Sequence, residues 1–283
     1  MTGSEPAATQ AVVELHGLSV APAPGARSSA LRGLNLRIGA GEQVAVIGAS
    51  GAGKTTLLLA LSCALKPMSG ALSLFGIDPW ALSSGERQRL RGRLLLAPQV
   101  PPLPPRQRVV TAVLAGRLPG MGLMASLKTL WHPQEAGLAQ QALAALEIGD
   151  KLWHRVDRLS GGERQRVGLA RALVSDAALW LVDEPLSALD PSRAARVIDV
   201  LTDSARREGR TLVCSLHQVA VARERFARVI ALREGECVYD GPSSGLDDAM
   251  LRALYGSADL QATPTATEAA PADVMALPQA MCR

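Results

Sequence analysis

Aromatic residues are scarce: Trp, Tyr and Phe make up 3% of the 283 residues, although 48% of the side chains are hydrophobic. Single-stranded nucleic acid is held by basic grooves interleaved with stacking aromatics, so this composition argues against nucleic acid as a partner. Lysine is almost absent too, at positions 54, 66, 128 and 151 only, and arginine supplies the rest of the 30 basic residues. Against 26 acids the net charge is +4, mild for this length. No apolar run nears the roughly 20 residues of a membrane-crossing helix. Met1 to Gln10 lacks the basic and apolar segments of a secretory signal. Cys63, Cys214, Cys237 and Cys282 are scattered without a CxxC pair. That spacing disfavours a disulfide framework or zinc knuckle and fits small buried thiols in the cytosol.

What is present reads as one α/β domain with appendages. An edge strand over Ala11 to Leu15 is followed by the turn cluster Ala21 to Gly25, then by alternating residues from Leu31 to Ile38. Gln43 to Ile47 has the composition of a buried parallel strand. Thr55 to Leu65 reads as an apolar helix ended near Pro67, and Ala71 to Phe75 as another strand. From Val100 to Asp157 the character shifts to prolines and then helix, notably Gln134 to Glu147, which suggests a helical insertion. From Ser257 the chain is rich in Ala, Thr and Pro without periodicity, the composition of a disordered tail.

Gly48-Ala49-Ser50-Gly51-Ala52-Gly53-Lys54-Thr55 fits G-x-x-x-x-G-K-[ST], directly after the strand Gln43 to Ile47 and opening a helix. Glycines let the backbone wrap a phosphate with its N–H groups inward, and the helix start adds partial positive charge. Lys54 would reach the β and γ phosphates, Thr55 would place its hydroxyl on Mg²⁺, and Thr56 would lie beside the α and β phosphates. Ala178 to Val182 is an apolar strand ending in Asp183-Glu184. An acid there can hold Mg²⁺ across from Thr55. Glu184, one residue on, is placed to polarise an attacking water.

Between these elements, Leu159-Ser160-Gly161-Gly162-Glu163-Arg164-Gln165-Arg166 resembles the signature motif of ABC-transporter ATPases. Over residues 11 to 256 the other motifs follow: Gln99 resembles the Q-loop, Ser187 to Asp190 the D-loop, and His217 the switch histidine. The resemblance implies a P-loop nucleotide-binding domain with a RecA-like parallel core, an N-terminal antiparallel β-subdomain and a helical subdomain at about 100 to 160. It further implies that Ser160, Gly161 and Gly162 face ATP bound by a second copy, that Asp190 works across the dimer, and that Gln99 touches Mg²⁺ or the attacking water. His217 would bond the γ-phosphate. Many relatives stack adenine on an aromatic after the first strand, whereas Leu18 to Pro22 has none, leaving adenine to rest on apolar atoms of Val20 or Pro22 or to be held loosely.

Leu82-Ser83-Ser84-Gly85-Glu86-Arg87-Gln88-Arg89 nearly duplicates the signature, yet no second phosphate loop or Asp-Glu strand accompanies it. It reads as a charged helix. Val113 to Leu118, Ser126-Leu127 and Trp131, His217-Gln218-Val219, Asp240-Gly241-Pro242 and Leu254-Tyr255-Gly256 resemble the phosphonate-importer ATPase subfamily. That resemblance implies a peripheral ATPase on the cytoplasmic face of the inner membrane. It would energise uptake of phosphonate or a related oxyanion through two permease chains fed by a solute-binding protein. The alternatives are an ATPase for another importer or for lipoprotein extrusion, and a non-transport ABC ATPase. The four prolines at 101, 102, 104 and 105 depart from the subfamily pattern on the surface expected to meet the permease.

Overall fold

The computed structural model describes residues 10–26, 28–120, 135–247, 250–252 and 254–255. Apolar runs with both faces covered build a parallel sheet. Its strands are β3 (Gln43–Ile47), β5 (Leu94–Ala97), β6 (Leu179–Asp183), β7 (Thr211–Ser215) and β8 (Arg228–Arg233), in the order β5-β6-β7-β3-β8. The strand β9 (Glu236–Pro242) adds antiparallel to β8 at one edge. A second sheet, all antiparallel, has the order β2-β1-β4 and is built from β1 (Ala11–Val20), β2 (Leu31–Gly39) and β4 (Ser69–Leu74).

The helix α1 (Lys54–Leu61) packs against β1 of the antiparallel sheet and against β6 and β7 of the parallel one. Thr56, Leu57, Leu58, Ala60 and Leu61 are all buried, so its apolar surface runs round the helix instead of along one stripe. The expected helix to Leu65 stops at Leu61 because Cys63 takes a left-handed conformation at φ 58°. The Ala64 amide closes the turn on the Leu59 carbonyl, and Arg91 donates to the Cys63 carbonyl at 2.5 Å. The first strand is also longer than expected and, paired on both sides by β2 and β4, is the centre of its sheet instead of an edge. Register shifts between Leu15 and Val20 carry it through Gly17, and these bulges break the alternation that would have marked its second half.

The stretch after β5 holds α3 (Val109–Leu114) and α4 (Ala136–Ala145), which pack on α5 (Gly161–Leu173). The expected helix Gln134 to Glu147 is the shorter α4: its first expected residue is outside the described set, and Glu147 ends the segment at φ 58°. Ser126, Leu127, Trp131, Cys282 and the tail from Ser257 lie outside the described residues. Cys63 and Cys214 are buried free thiols, and burial pushes Cys63 up to about 11.

The duplicated motif produces the same local structure twice. Before α2 (Ser84–Arg91), Ser83 caps the Glu86 amide while Glu86 reaches back to the Ser83 amide; before α5, Ser160 and Glu163 do the same. Arg87 donates to the Leu82 carbonyl at 3.2 Å and Arg164 to the Leu159 carbonyl at 2.9 Å. The repeat therefore encodes a helix start. Replacing either cap, Ser83→Ala or Ser160→Ala, is expected to lower unfolding free energy by about 1 kcal/mol. Urea titration with an unchanged midpoint would contradict the capping assignment.

Candidate active site

Strands β6, β7 and β3 are neighbours in the parallel sheet, so their carboxyl ends bring Asp183, Ser215 and the 48–55 loop together. The loop closes round its own lysine: Lys54 Nζ donates to the carbonyls of Gly48 at 2.8 Å and Ala49 at 3.2 Å. A Cβ at Gly48 would stand 2.3 Å from the Leu232 carbonyl oxygen. One at Gly53, where φ is 104°, would stand 2.9 Å from the Ala30 carbonyl oxygen. Glycine is thus required by close backbone approach from both sheets. The Gly235 amide holds Ala52 from the β8–β9 turn at 3.2 Å, and the Gly48 amide donates to the Tyr255 hydroxyl at 3.0 Å.

Asp183 is buried and accepts from Ser215 Oγ at 2.6 Å and from the Thr55 hydroxyl. Burial pushes its carboxyl up, with those two bonds opposing. Glu184 follows at φ 46°, a left-handed conformation that costs a non-glycine residue about 1 kcal/mol or more. Its amide donates to Ser215 Oγ at 2.9 Å, and its Oε1 lies 2.5 Å from His217 Nε2 and 3.8 Å from Lys54 Nζ. Burial disfavours the Glu184 carboxylate, but the His217 bond and charge, with Lys54, outweigh it and hold the carboxyl below its ordinary range. For Lys54, only 4% exposed, burial lowers the ammonium against the opposing pull of Glu184 and Asp183.

This donor set suits a nucleotide triphosphate and a hard divalent cation. Lys54 and the start of α1 offer positive charge to phosphate oxygens, while the Thr55 hydroxyl and Asp183 carboxylate, already in contact, are oxygen ligands of the kind Mg²⁺ takes. Ser50, Gly51 and Thr55 are exposed at the mouth of the loop. Glycines 48 and 53 and alanine 52 are buried, as is Thr56, and Ala49 is half-buried.

The remaining expected residues lie around this cluster. Gln99 is exposed in the bend just beyond β5, at the same sheet end as Asp183, because Ala97 pairs with Val182. Ser160 and Gly161 are exposed, and Gly162 is packed so that a Cβ would meet the Ala188 carbonyl at 2.8 Å. Asp190 is exposed and caps α6 (Pro191–Arg207) by accepting the Arg193 amide at 3.1 Å. Val20 is fully buried in β1 and gives adenine no support, whereas Pro22 is exposed. Three contributors were not foreseen: Ser215, Tyr255 and Gln165. Ser215 had a signal, being the polar end of the apolar run Thr211–Ser215 just ahead of His217.

Burial pushes the Tyr255 phenol from 10.0 up to about 12, although the Gly48 amide favours its phenolate. Between those values the unfolded chain gives up a proton that the folded chain retains, so stability present below pH 10.0 falls as pH rises toward 12. Tyr255→Phe is expected to cost about 1 kcal/mol at neutral pH, by leaving the Gly48 amide without its acceptor, and to flatten that alkaline decline. Urea unfolding against pH checks both; an unaltered alkaline slope would contradict the account.

The family described as ABC transporter matches residues 31–187. Over 270 residues, 92% of this chain and 97% of the relative, the sequence is 56% identical to phosphonates import ATP-binding protein PhnC 2 of Albidiferax ferrireducens. It is likewise 56% identical over 258 residues, 90% of this chain and 93% of the relative, to phosphonates import ATP-binding protein PhnC of a Polaromonas species. Among solved structures, the ATP-binding cassette MJ0796, dimeric in a post-hydrolysis state with ADP and Pi, superposes with a TM-score of 0.72 at 28% identity. That match covers 83% of this chain and all of the other. Motif, geometry and relatives agree: the chain belongs to the ABC transporter family, as an ATP-binding and ATP-hydrolysing cassette.

Proposed function

We propose that this chain is the ATPase subunit of an importer for phosphonates, acting as a pair of copies beneath separate membrane-spanning permease chains. The observation that carries the chemical part is the cluster of Lys54, Asp183, Glu184, Ser215 and His217 at the ends of three adjacent strands. The transport part rests on relatives at 56% identity that are named for phosphonate import. Among the described residues no helix is long and apolar enough to cross a membrane, so spanning segments would come from partner chains.

In this reading the ATPase domain spans residues 11–256, with the part at about 100–160 turned toward the permease. Residues 48–56 hold the phosphates of ATP. Thr55, Asp183 and Gln99 would hold Mg²⁺, which when bound neutralises charge on the β and γ phosphates. Glu184 Oε1, held in its ionised form by the His217 bond and by Lys54, accepts a proton from the attacking water. His217 Nε2, which meets Glu184 Oε1, orients that carboxylate and is 46% exposed at the mouth of the site, free to turn to the γ-phosphate. Ser160, Gly161 and Gly162, exposed or half-buried at the start of α5, serve the nucleotide of the second copy, with Asp190 at the dimer contact. The dimeric cassette at 28% identity supports that pairing. Val100, 81% exposed after β5, offers an apolar side chain to the permease. A solute-binding protein would deliver phosphonate to the permease, and the ATPase itself does not touch the phosphonate.

Glu184→Gln is expected to bind ATP and pair while turnover falls at least about 100-fold. Full residual hydrolysis would overturn the base assignment. For the partner, detergent extraction of the tagged chain from membranes is expected to bring down permease subunits, and extraction without any membrane protein would contradict the transporter reading.

A further inference from the structure

The Glu184 turn is fastened by a side chain from another element. Gln165, on α5 one turn beyond Gly161, is only 4% exposed. Its Nε2 donates to the Glu184 carbonyl at 2.9 Å and to Ser187 Oγ at 3.2 Å, and its Oε1 accepts the Ala188 amide at 3.3 Å. Ser187 Oγ also donates to the Glu184 carbonyl at 3.2 Å. With the Ser215 bond to the Glu184 amide, both backbone polar groups of this residue are tied by side chains.

A left-handed non-glycine residue persists only where its surroundings over-determine it. At Glu184, with φ 46°, the carbonyl is held locally by the Ser187 hydroxyl and amide, and Gln165 supplies its shortest bond and the one that comes from another element. Ser215 holds the amide but is itself shared with Asp183, so it cannot alone fix the orientation of the following carbonyl. Relaxing the carbonyl side would rotate the residue and swing its carboxylate away from Lys54 and His217. Gln165 also stands on the same helix whose start, at Gly162, abuts Ala188.

We propose that Gln165 is a positioning residue for hydrolysis: its amide holds the Glu184–Ala188 turn in the conformation that aims the Glu184 carboxylate. It thereby ties that aim to the signature helix of the same chain. Gln165 touches no reacting atom in this role and acts only through Glu184. The proposal rests on Glu184 acting as the base.

The test compares Gln165→Leu, which keeps the volume and removes the three bonds, with Glu184→Gln and the double variant, each as the full chain. A misaimed base costs rate, so Gln165→Leu is expected to lower kcat per folded molecule about tenfold to a hundredfold. KM, and the affinity for a fluorescent ATP analogue, should stay within about twofold, because the phosphate loop is untouched. Hydrogen exchange in the nucleotide-free protein should quicken at the amides of Glu184, Ser187 and Ala188. In the Glu184→Gln background, Gln165→Leu should leave the residual single-turnover rate unchanged, since the two act as one unit. Unchanged kcat in Gln165→Leu, while Glu184→Gln is inactive, overturns the positioning role alone. An equal fall in both backgrounds, or a kcat loss matched by the analogue's affinity, also overturns it in favour of a structural role. Full turnover in Glu184→Gln overturns the base reading beneath it.

Discussion

A buried ammonium organises this molecule. Lys54 is removed from water, and a cation so placed must be compensated by carbonyl oxygens and by charge. Gly48 and Ala49 provide the first, which forces the loop to curl back over its own lysine. Glu184 and Asp183 provide the second, which requires β6 to end beside β3 with only β7 between them. Loop shape, strand order and the pair of acids are therefore one electrostatic requirement seen at three scales. The arrangement is poised for ligand: an anion entering the loop meets a cation whose present partners are weak carbonyl acceptors and a carboxylate 3.8 Å away.

The loop is also where distant parts of the chain converge. Ala30 from the approach to the antiparallel sheet, Leu232 and Gly235 from the edge of the parallel sheet, and Tyr255 from the end of the described chain all touch it. Any rotation of one sheet against the other would act on the backbone groups that face phosphate. An ATPase that does mechanical work needs such a junction, because nucleotide occupancy can alter the relative position of the elements only where they share contacts.

Much of the site could be read from sequence because its chemistry is local. The 48–55 loop and the Asp183-Glu184 pair lie within single strand-to-helix or strand-to-turn segments, where residue order alone fixes who is adjacent. The parallel core was legible for a similar reason: an apolar run such as 177–182, between Asp176 and Asp183, is bounded sharply by polar residues. What escaped depends on long-range register. Tyr255 meets Gly48 across 207 positions, and Ser215 meets Asp183 across 32, separations at which no spacing rule operates. Bulges hid the second half of β1, and a left-handed Cys63 shortened α1. The two SGERQR-like segments show the limit most clearly. Both form the same capped helix, since capping is a matter of four or five residues. Only tertiary placement distinguishes them, setting Gln165 of the second on the Glu184 turn.

The Lys54 ammonium is held in reserve for phosphate. Calorimetric titration of Mg-ATP into the Lys54→Ala protein beside the unaltered one tests it most directly, with circular dichroism to confirm that both are folded. Loss of charge-assisted bonds to phosphate predicts an affinity at least about tenfold weaker. A folded Lys54→Ala protein that binds Mg-ATP as tightly as the unaltered chain would contradict the account.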